Sequence, residues 1–113
     1  MKYPKRGEIW WVNFDPSVGT EIRKIRPALI VSNDIANRLE KRFNVIPMTS
    51  RIKNHPVTVL VEADNKNNLG KDSVINVPDI ATFDKKRLKT KIGVLSDEKL
   101  KEVGIKLKRH LGL

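Results

Sequence analysis

PALIVS, residues 27–32, is apolar almost throughout and flanked by Arg26 on one side and Asn33-Asp34 on the other. An unbroken apolar run bounded by polar residues reads as a strand buried on both faces, and so as the centre of a sheet. Before it, GEIWWVNF at 7–14 combines aromatic and branched side chains in a second strand, with Trp10, Val12 and Phe14 on one face. The connection between them, Asp15 to Ile25, contains Pro16, Gly19 and several charges and reads as a long loop. After the central run, Asn33 or Asp34 caps a short helix reaching about Glu40, because both side chains accept from first-turn amides.

The remaining strands are shorter. NVIPMTS at 44–50 is strand-like, and its Pro47, which has no N–H, predicts an edge or a bulge. VTVLVE at 57–62 alternates, with Val57, Val59 and Val61 on one face and Thr58, Leu60 and Glu62 on the other. ADNKNNLGK at 63–71 is turn chemistry, DSVINVPDIAT at 72–82 is a strand interrupted by Pro78, and KIGVLS at 91–96 is the last strand. The period then changes: Leu100, Val103, Leu107 and Leu111 fall on one face of a C-terminal helix, capped by Ser96 and carrying Asp97 and Glu98 at its start and Lys108 and Arg109 near its end. Five or six strands and one amphipathic helix make a mainly β fold with a C-terminal helix packed on a small barrel or sheet. Residues 1–113 are expected to form one domain, since no linker or repeat divides them.

Charge narrows the function. Lys and Arg number 23 against 13 Asp and Glu, a net charge of +10 and a pI near 10.1. That surplus attracts polyanions, nucleic acid first, with a membrane surface or an acidic protein as alternatives. The sequence has no apolar run near the roughly 20 residues needed to span a bilayer and no signal-peptide core, so a cytoplasmic location without membrane association is expected. Without cysteine there is no disulfide, thiol nucleophile or zinc ribbon, and no HExxH or clustered histidine suggests a metal. No cofactor is expected.

Three features suit phosphate chemistry. Arg26 stands where a loop enters the most buried strand, so its guanidinium is held by scaffold on one side; a solvated loop charge is the plainer alternative. Thr49-Ser50-Arg51 sets two hydroxyls and a forked guanidinium at a strand end, although such a pair also forms ordinary turns. Glu21 lies in the first loop, where Arg23 or Lys24 can pair with it. Trp10 reads as core and Trp11 is open to either role. Lys85-Lys86-Arg87, with Lys89 and Lys91, lines an RNA path or is a solvated face. His55 reads as a turn residue and His110 as a helix-end residue, neither of them catalytic.

RGEIWWVNFDPSVGTEIRKIRPALIVSND, NVIPMTS, KDSVINVPDIATFDKKRL and KIGVLSDEKLKEV, in that order between about Arg6 and Val103, resemble the MazF/PemK family of toxin endoribonucleases. The resemblance implies the small SH3-like β-barrel that MazF shares with CcdB, a homodimer, an acidic cognate antitoxin, and sequence-specific, metal-independent cleavage of single-stranded RNA to 2′,3′-cyclic phosphate and 5′-hydroxyl ends. The family's loop Arg before Pro, strand-end Thr and loop Glu match Arg26, Thr49 and Glu21, the expected catalytic residues. Arg26 is expected to neutralise the phosphorane and Thr49 to hold a phosphate oxygen or the 2′-OH. Glu21 suits the base better than an arginine, whose pKa exceeds about 12. Ser50, Arg51, Arg23, Lys24, Asn33, Lys85 and Arg87 are the expected RNA contacts. The histidine used by some PemK-branch members has no match in the first loop. A CcdB-like inhibitor of a protein target such as DNA gyrase, or a nucleic-acid-binding domain without chemistry, are the competing functions.

Overall fold

Ala28, Leu29 and Ile30 are fully buried and Val31 nearly so, the two-sided burial that an unbroken apolar run requires. Each large aliphatic side chain so buried contributes roughly 1.5–3 kcal/mol. They sit in and just after β2 (Ile25–Ile30) of a seven-stranded sheet in the computed structural model, which describes residues 3–14 and 25–113. The other elements are β1 (Glu8–Asn13), α1 (Asp34–Leu39), β3 (Arg42–Thr49), β4 (Thr58–Val61), β5 (Ser73–Asn76), β6 (Ala81–Asp84), β7 (Leu88–Val94) and α2 (Asp97–Leu111), with 3₁₀ turns at Val77–Asp79 and Lys85–Arg87. The strand order is β4-β5-β3-β2-β1-β7, with β6 also paired to β3 and every pairing antiparallel. This is the expected mainly β, SH3-like architecture with a C-terminal helix. The barrel is left open, because no ladder joins β4 to β7 among the described residues.

Alternation along β2 divides the interior in two. Leu29 and Val31 join Ile9, Ile46, Met48, Val59, Ile75 and Val103 in the core beneath α2. Ala28 and Ile30 point the other way, into a smaller cluster with Val12, Phe43 and Val45. Trp10 and Phe14 pack against that second cluster, so the shared face of Trp10, Val12 and Phe14 is real, and Phe14 meets Phe83 edge-on with centroids 5.0 Å apart. In α2, Ser96 accepts from Lys99 N–H and Gly112 closes the helix in the left-handed conformation. Val103 is buried and Leu100 and Leu107 pack on the core, but Leu111 remains 51% exposed because the helix overruns the sheet there.

Several expectations change. β3 is a central strand and not an edge. Pro47 is tolerated because the β6 ladder ends at Val45 and the β5 ladder begins at Met48, so its missing donor falls between them. Thr58 shares its face with the exposed Leu60 yet is buried, and Val57 is exposed and lies outside the strand. The segment 72–82 divides at Pro78 into β5 and β6, and β7 begins at Leu88 instead of Lys91, giving seven strands. The loop expected over Asp15–Ile25 lies outside the described residues up to position 24; Ile25 already belongs to β2.

The 63–71 turn is built around Asn67. Its side chain donates to Glu62 O at 2.8 Å and accepts from the N–H groups of Asp64 and Leu69, each at 3.0 Å. Asp64 accepts in return from the N–H groups of Asn67 and Lys66, which draws its carboxyl below the ordinary carboxylate range. The turn lies directly on β7, where Val94 N–H donates to Lys66 O at 3.1 Å. A Cβ at Gly93 would fall 2.6 Å from Lys66 O and closer still to Asn67 O, both backbone atoms that cannot yield cheaply. Gly93→Ala should therefore lower stability by about 1–3 kcal/mol in urea unfolding. Gly70→Ala, with nothing within 4 Å of the added carbon, should change it by less than about 0.5 kcal/mol.

Candidate active site

A proline ends the ladder between the two central strands. Val31 N–H donates to Asn44 O at 3.0 Å, so by alternation the nitrogens of residues 29 and 27 also point toward β3. Residue 27 is Pro27, which has no proton to give, and β2–β3 pairing stops one residue earlier, at Ala28 opposite Pro47. Beyond that point the strands take different partners: Arg26 lies opposite Val12 of β1, while Met48 and Thr49 lie opposite Ile75 and Val74 of β5. The same register carried two residues further sets Arg26 across from Thr49. Opposite residues of an antiparallel pair project to the same face, so the fork presents a guanidinium and a hydroxyl to one space.

That space is a cleft of about 820 Å³ lined by Arg26, Thr49, Ser50 and Arg51, with Asn76 and Asp79 from the end of β5 and the turn after it. Lys53 and His55 also line it, from the segment between β3 and β4. Arg51 N–H donates to Thr49 Oγ1 at 3.2 Å. A threonine hydroxyl that accepts this bond still has its own proton to donate. Arg26, Arg51 and Lys53 supply three cations against one carboxylate, Asp79, so the local field favours an anionic ligand.

Thr58 holds the segment bearing Lys53 and His55. Its hydroxyl accepts from His55 N–H at 3.1 Å and faces the carbonyls of His55 and Lys53 at 2.9 and 3.2 Å. Its own N–H donates to His55 O at 3.0 Å, and Lys106 of α2 donates to its carbonyl at 2.7 Å. This explains why Thr58 is buried against the alternation. Lys53, His55, Thr58, Val74, Asn76 and Asp79 are the cleft residues that sequence reading misses, because nothing local to them signals that distant strands converge there.

Other expected contacts lie elsewhere. Asn33 accepts from Ala36 N–H at 2.8 Å as the cap of α1, which commits its side-chain oxygen to the fold. Lys85 follows β6, and its N–H donates to Lys41 O just before β3, at the opposite end of that strand from Thr49. Arg87 donates to Asn13 O at 3.2 Å and lies 5.4 Å over the Phe83 ring. Neither Lys85 nor Arg87 lines the cleft. Lys91 pairs with Glu8 at 3.1 Å. Partial burial is the largest influence on Glu8 and raises its pKa, but bonds from Lys5 N–H, Trp10 and Lys91 together hold it below the ordinary value. Trp11, opposite Pro27 on β1, is 40% exposed and free to meet a ligand. Glu21, Arg23 and Lys24 lie outside the described residues.

A second hollow of about 610 Å³ runs along α2 past Leu100, Gly104 and Ile105, with Arg6, Lys101 and Lys108 at its walls. It has cations but no hydroxyl or imidazole, and so lacks the groups that a phosphodiester reaction uses. Among the described residues no three His, Cys, Asp or Glu side chains gather as metal ligands, and no helix is long and apolar enough to cross a membrane.

Known proteins share this fold over nearly the whole chain. The family described as "PemK-like, MazF-like toxin of type II toxin-antitoxin system" matches residues 5–111. The endoribonuclease MazF of Staphylococcus saprophyticus is 39% identical over 110 residues, covering 96% of this chain and 92% of the relative. Among solved structures, MazF of Deinococcus radiodurans superposes with a TM-score of 0.83 at 30% identity, covering all of both chains. The MazE-MazF structure from the same organism gives a TM-score of 0.85 at 30% identity, covering 100% of this chain and 99% of the other.

If the Thr58 hydroxyl sets the 50–57 segment, Thr58→Val should cost about 1–3 kcal/mol, the range for a buried polar group left without its partner. Amide exchange at His55 should accelerate in the same variant, and Thr58→Ser should restore both properties.

Proposed function

The chain belongs to the PemK-like, MazF-like family of type II toxin–antitoxin toxins, and we propose that it acts as an endoribonuclease through Arg26 and Thr49 in the cleft at the β2–β3 fork. The observation that carries this reading is the register that brings a guanidinium from one strand and a strand-end hydroxyl from the other to a single cationic space. A binding module needs only the charge. A cutter needs donors fixed on one phosphate.

The chemistery follows from the residue types. RNA carries its own nucleophile, the 2′-hydroxyl, beside each phosphodiester. In-line attack forms an O2′–P bond and breaks the P–O5′ bond, leaving a 2′,3′-cyclic phosphate and a 5′-hydroxyl. The intermediate phosphorane gains negative charge, which a guanidinium neutralises through two parallel hydrogen bonds. Arg26 takes that role. Thr49, with its own proton to donate, holds a phosphate oxygen, and Ser50, Arg51 and Lys53 bind the flanking backbone. Glu21 is the carboxylate that accepts the 2′-hydroxyl proton. The cycle is metal-independent in this reading, with the phosphorane charge met by Arg26.

Residues 1–113 work as one domain, in the cytoplasm and as a homodimer, on single-stranded RNA, where unpaired bases leave the 2′-hydroxyl and phosphate free to adopt the in-line geometry. The physiological regulator is an acidic antitoxin segment that covers the cationic cleft and competes with RNA for Arg26, Arg51 and Lys53.

Purified protein incubated with a long single-stranded RNA in EDTA should give discrete fragments ending in cyclic phosphate. Arg26→Ala should lower kcat about 10²–10³-fold, the usual effect of removing one oxyanion donor, with an unchanged thermal melt. Thr49→Val should act in the same direction. Undiminished cutting by folded Arg26→Ala protein would remove this residue from the mechanism, and cutting lost in EDTA but restored by Mg²⁺ would overturn the metal-free reading.

A further inference from the structure

The reaction assigned to the cleft moves two protons, yet Arg26, Thr49 and Ser50 are all poor at giving one up near neutral pH. Departure of O5′ as an alkoxide is costly without a proton donor, because the conjugate alcohol is a far weaker acid than water-exchangeable side chains. Among the described residues lining the cleft, His55 alone carries an imidazole, a side chain that can both donate and accept a proton.

The position of His55 is built rather than incidental. It is exposed, so its ring is accessible to a ligand. Its backbone N–H and C=O are both tied to Thr58 at the start of β4, by bonds of 2.9 to 3.1 Å. Thr58 in turn is fastened to α2 through Lys106. The imidazole is therefore carried on a backbone anchored to β4, and His55 lines the same cleft as Arg26 and Thr49. The groups around that space are Arg26 of β2, Thr49 of β3, Arg51 and Lys53 of the same segment, and Asp79 of the 3₁₀ turn.

Resting on the ribonuclease reading above, we propose that His55 is a further catalytic residue, the general acid that protonates the 5′-oxygen as it leaves. In the step, the 2′-hydroxyl proton passes to a base as the O2′–P bond forms. The P–O5′ bonding pair goes to O5′, which takes a proton from the His55 imidazolium. Neutral imidazole and protonated base remain, and exchange with water returns both to their starting states. Arg26 neutralises the phosphorane and exchanges no proton.

A leaving group that needs no proton separates this role from mere RNA binding. The test compares an oligoribonucleotide having a normal scissile linkage with one in which a 5′-bridging sulfur replaces O5′, since a thiolate departs without general-acid help. His55→Ala should cut the normal substrate about 10²–10⁴-fold more slowly, the usual contribution of a positioned proton donor. It should cut the 5′-thio substrate within about threefold of the wild-type rate, a tolerance well inside that range. Arg26→Ala should be slow on both, because the phosphorane charge persists whichever atom leaves. Wild-type speed of His55→Ala on the normal substrate would overturn the proposal. So would an equal loss on both substrates, which would make His55 a binding or structural residue while leaving the ribonuclease reading intact. Wild-type protein inert toward both substrates would instead overturn the ribonuclease reading, and the role of His55 with it.

Discussion

The absent N–H of Pro27 is the constraint from which the rest of the site follows. Ladders between neighbouring strands normally continue while both partners offer donors and acceptors. Here the donor facing β3 is missing at residue 27 and pairing halts at Ala28 and Pro47; past that point β2 keeps its β1 ladder while β3 pairs with β5. A fork in a sheet exposes the side chains just past the branch. In this chain those are Arg26 and Thr49, which line one cleft beyond a register that the buried residues behind them enforce. A slip of one residue would exchange the two cores of Leu29 and Ile30, which the molecule could not survive. The precision that catalysis needs is thus supplied by the burial of aliphatic side chains several residues away.

Net charge and chemistry separate in this architecture. The chain carries +10, yet many of its cations serve the fold or the surface: Arg87 is spent on Asn13 and Phe83, Lys91 on Glu8, Lys106 on Thr58 and Glu102. Those charges still raise the encounter rate with a polyanion at long range. Positioning at the phosphate is left to the few cations at the fork, where Arg26, Arg51 and Lys53 share one cleft. Thr58 links the two scales, since its hydroxyl and N–H hold the segment bearing Lys53 and His55 to β4, and its carbonyl accepts from Lys106 of α2.

Much of the fold is legible in the sequence because it depends on local signals. The apolar run at 27–32, the caps at Asn33 and Ser96, the break at Pro78 and the helical period after Ser96 each announce themselves within a few residues, and each is present. What is not legible depends on partners distant in sequence. Pro47 reads as an edge until two separate ladders on one side of β3 are seen to leave a gap for it. Lys89 and its neighbours hide the first half of β7, because the charged side chains of that strand face solvent. In the site, Arg26 and Thr49 can be chosen by residue type and by resemblance, but their convergence is a matter of register. His55 and Asp79 reach the cleft only through the path of the chain between β3 and β5, which no local pattern encodes. The basic run at 85–87 lies apart from the cleft for the same reason, since its position is fixed by β6 and β7.

The central claim is that Arg26 and Thr49 act on the same phosphodiester. A double-mutant cycle tests it most directly: kcat/KM is measured for the wild type, Arg26→Ala, Thr49→Val and the double variant on one RNA substrate. Groups that stabilise a single phosphorane as a unit are strongly non-additive, so the double variant should be little worse than the more damaged single one. Losses that multiply, leaving each substitution as harmful in the absence of the other residue as in its presence, would contradict the account.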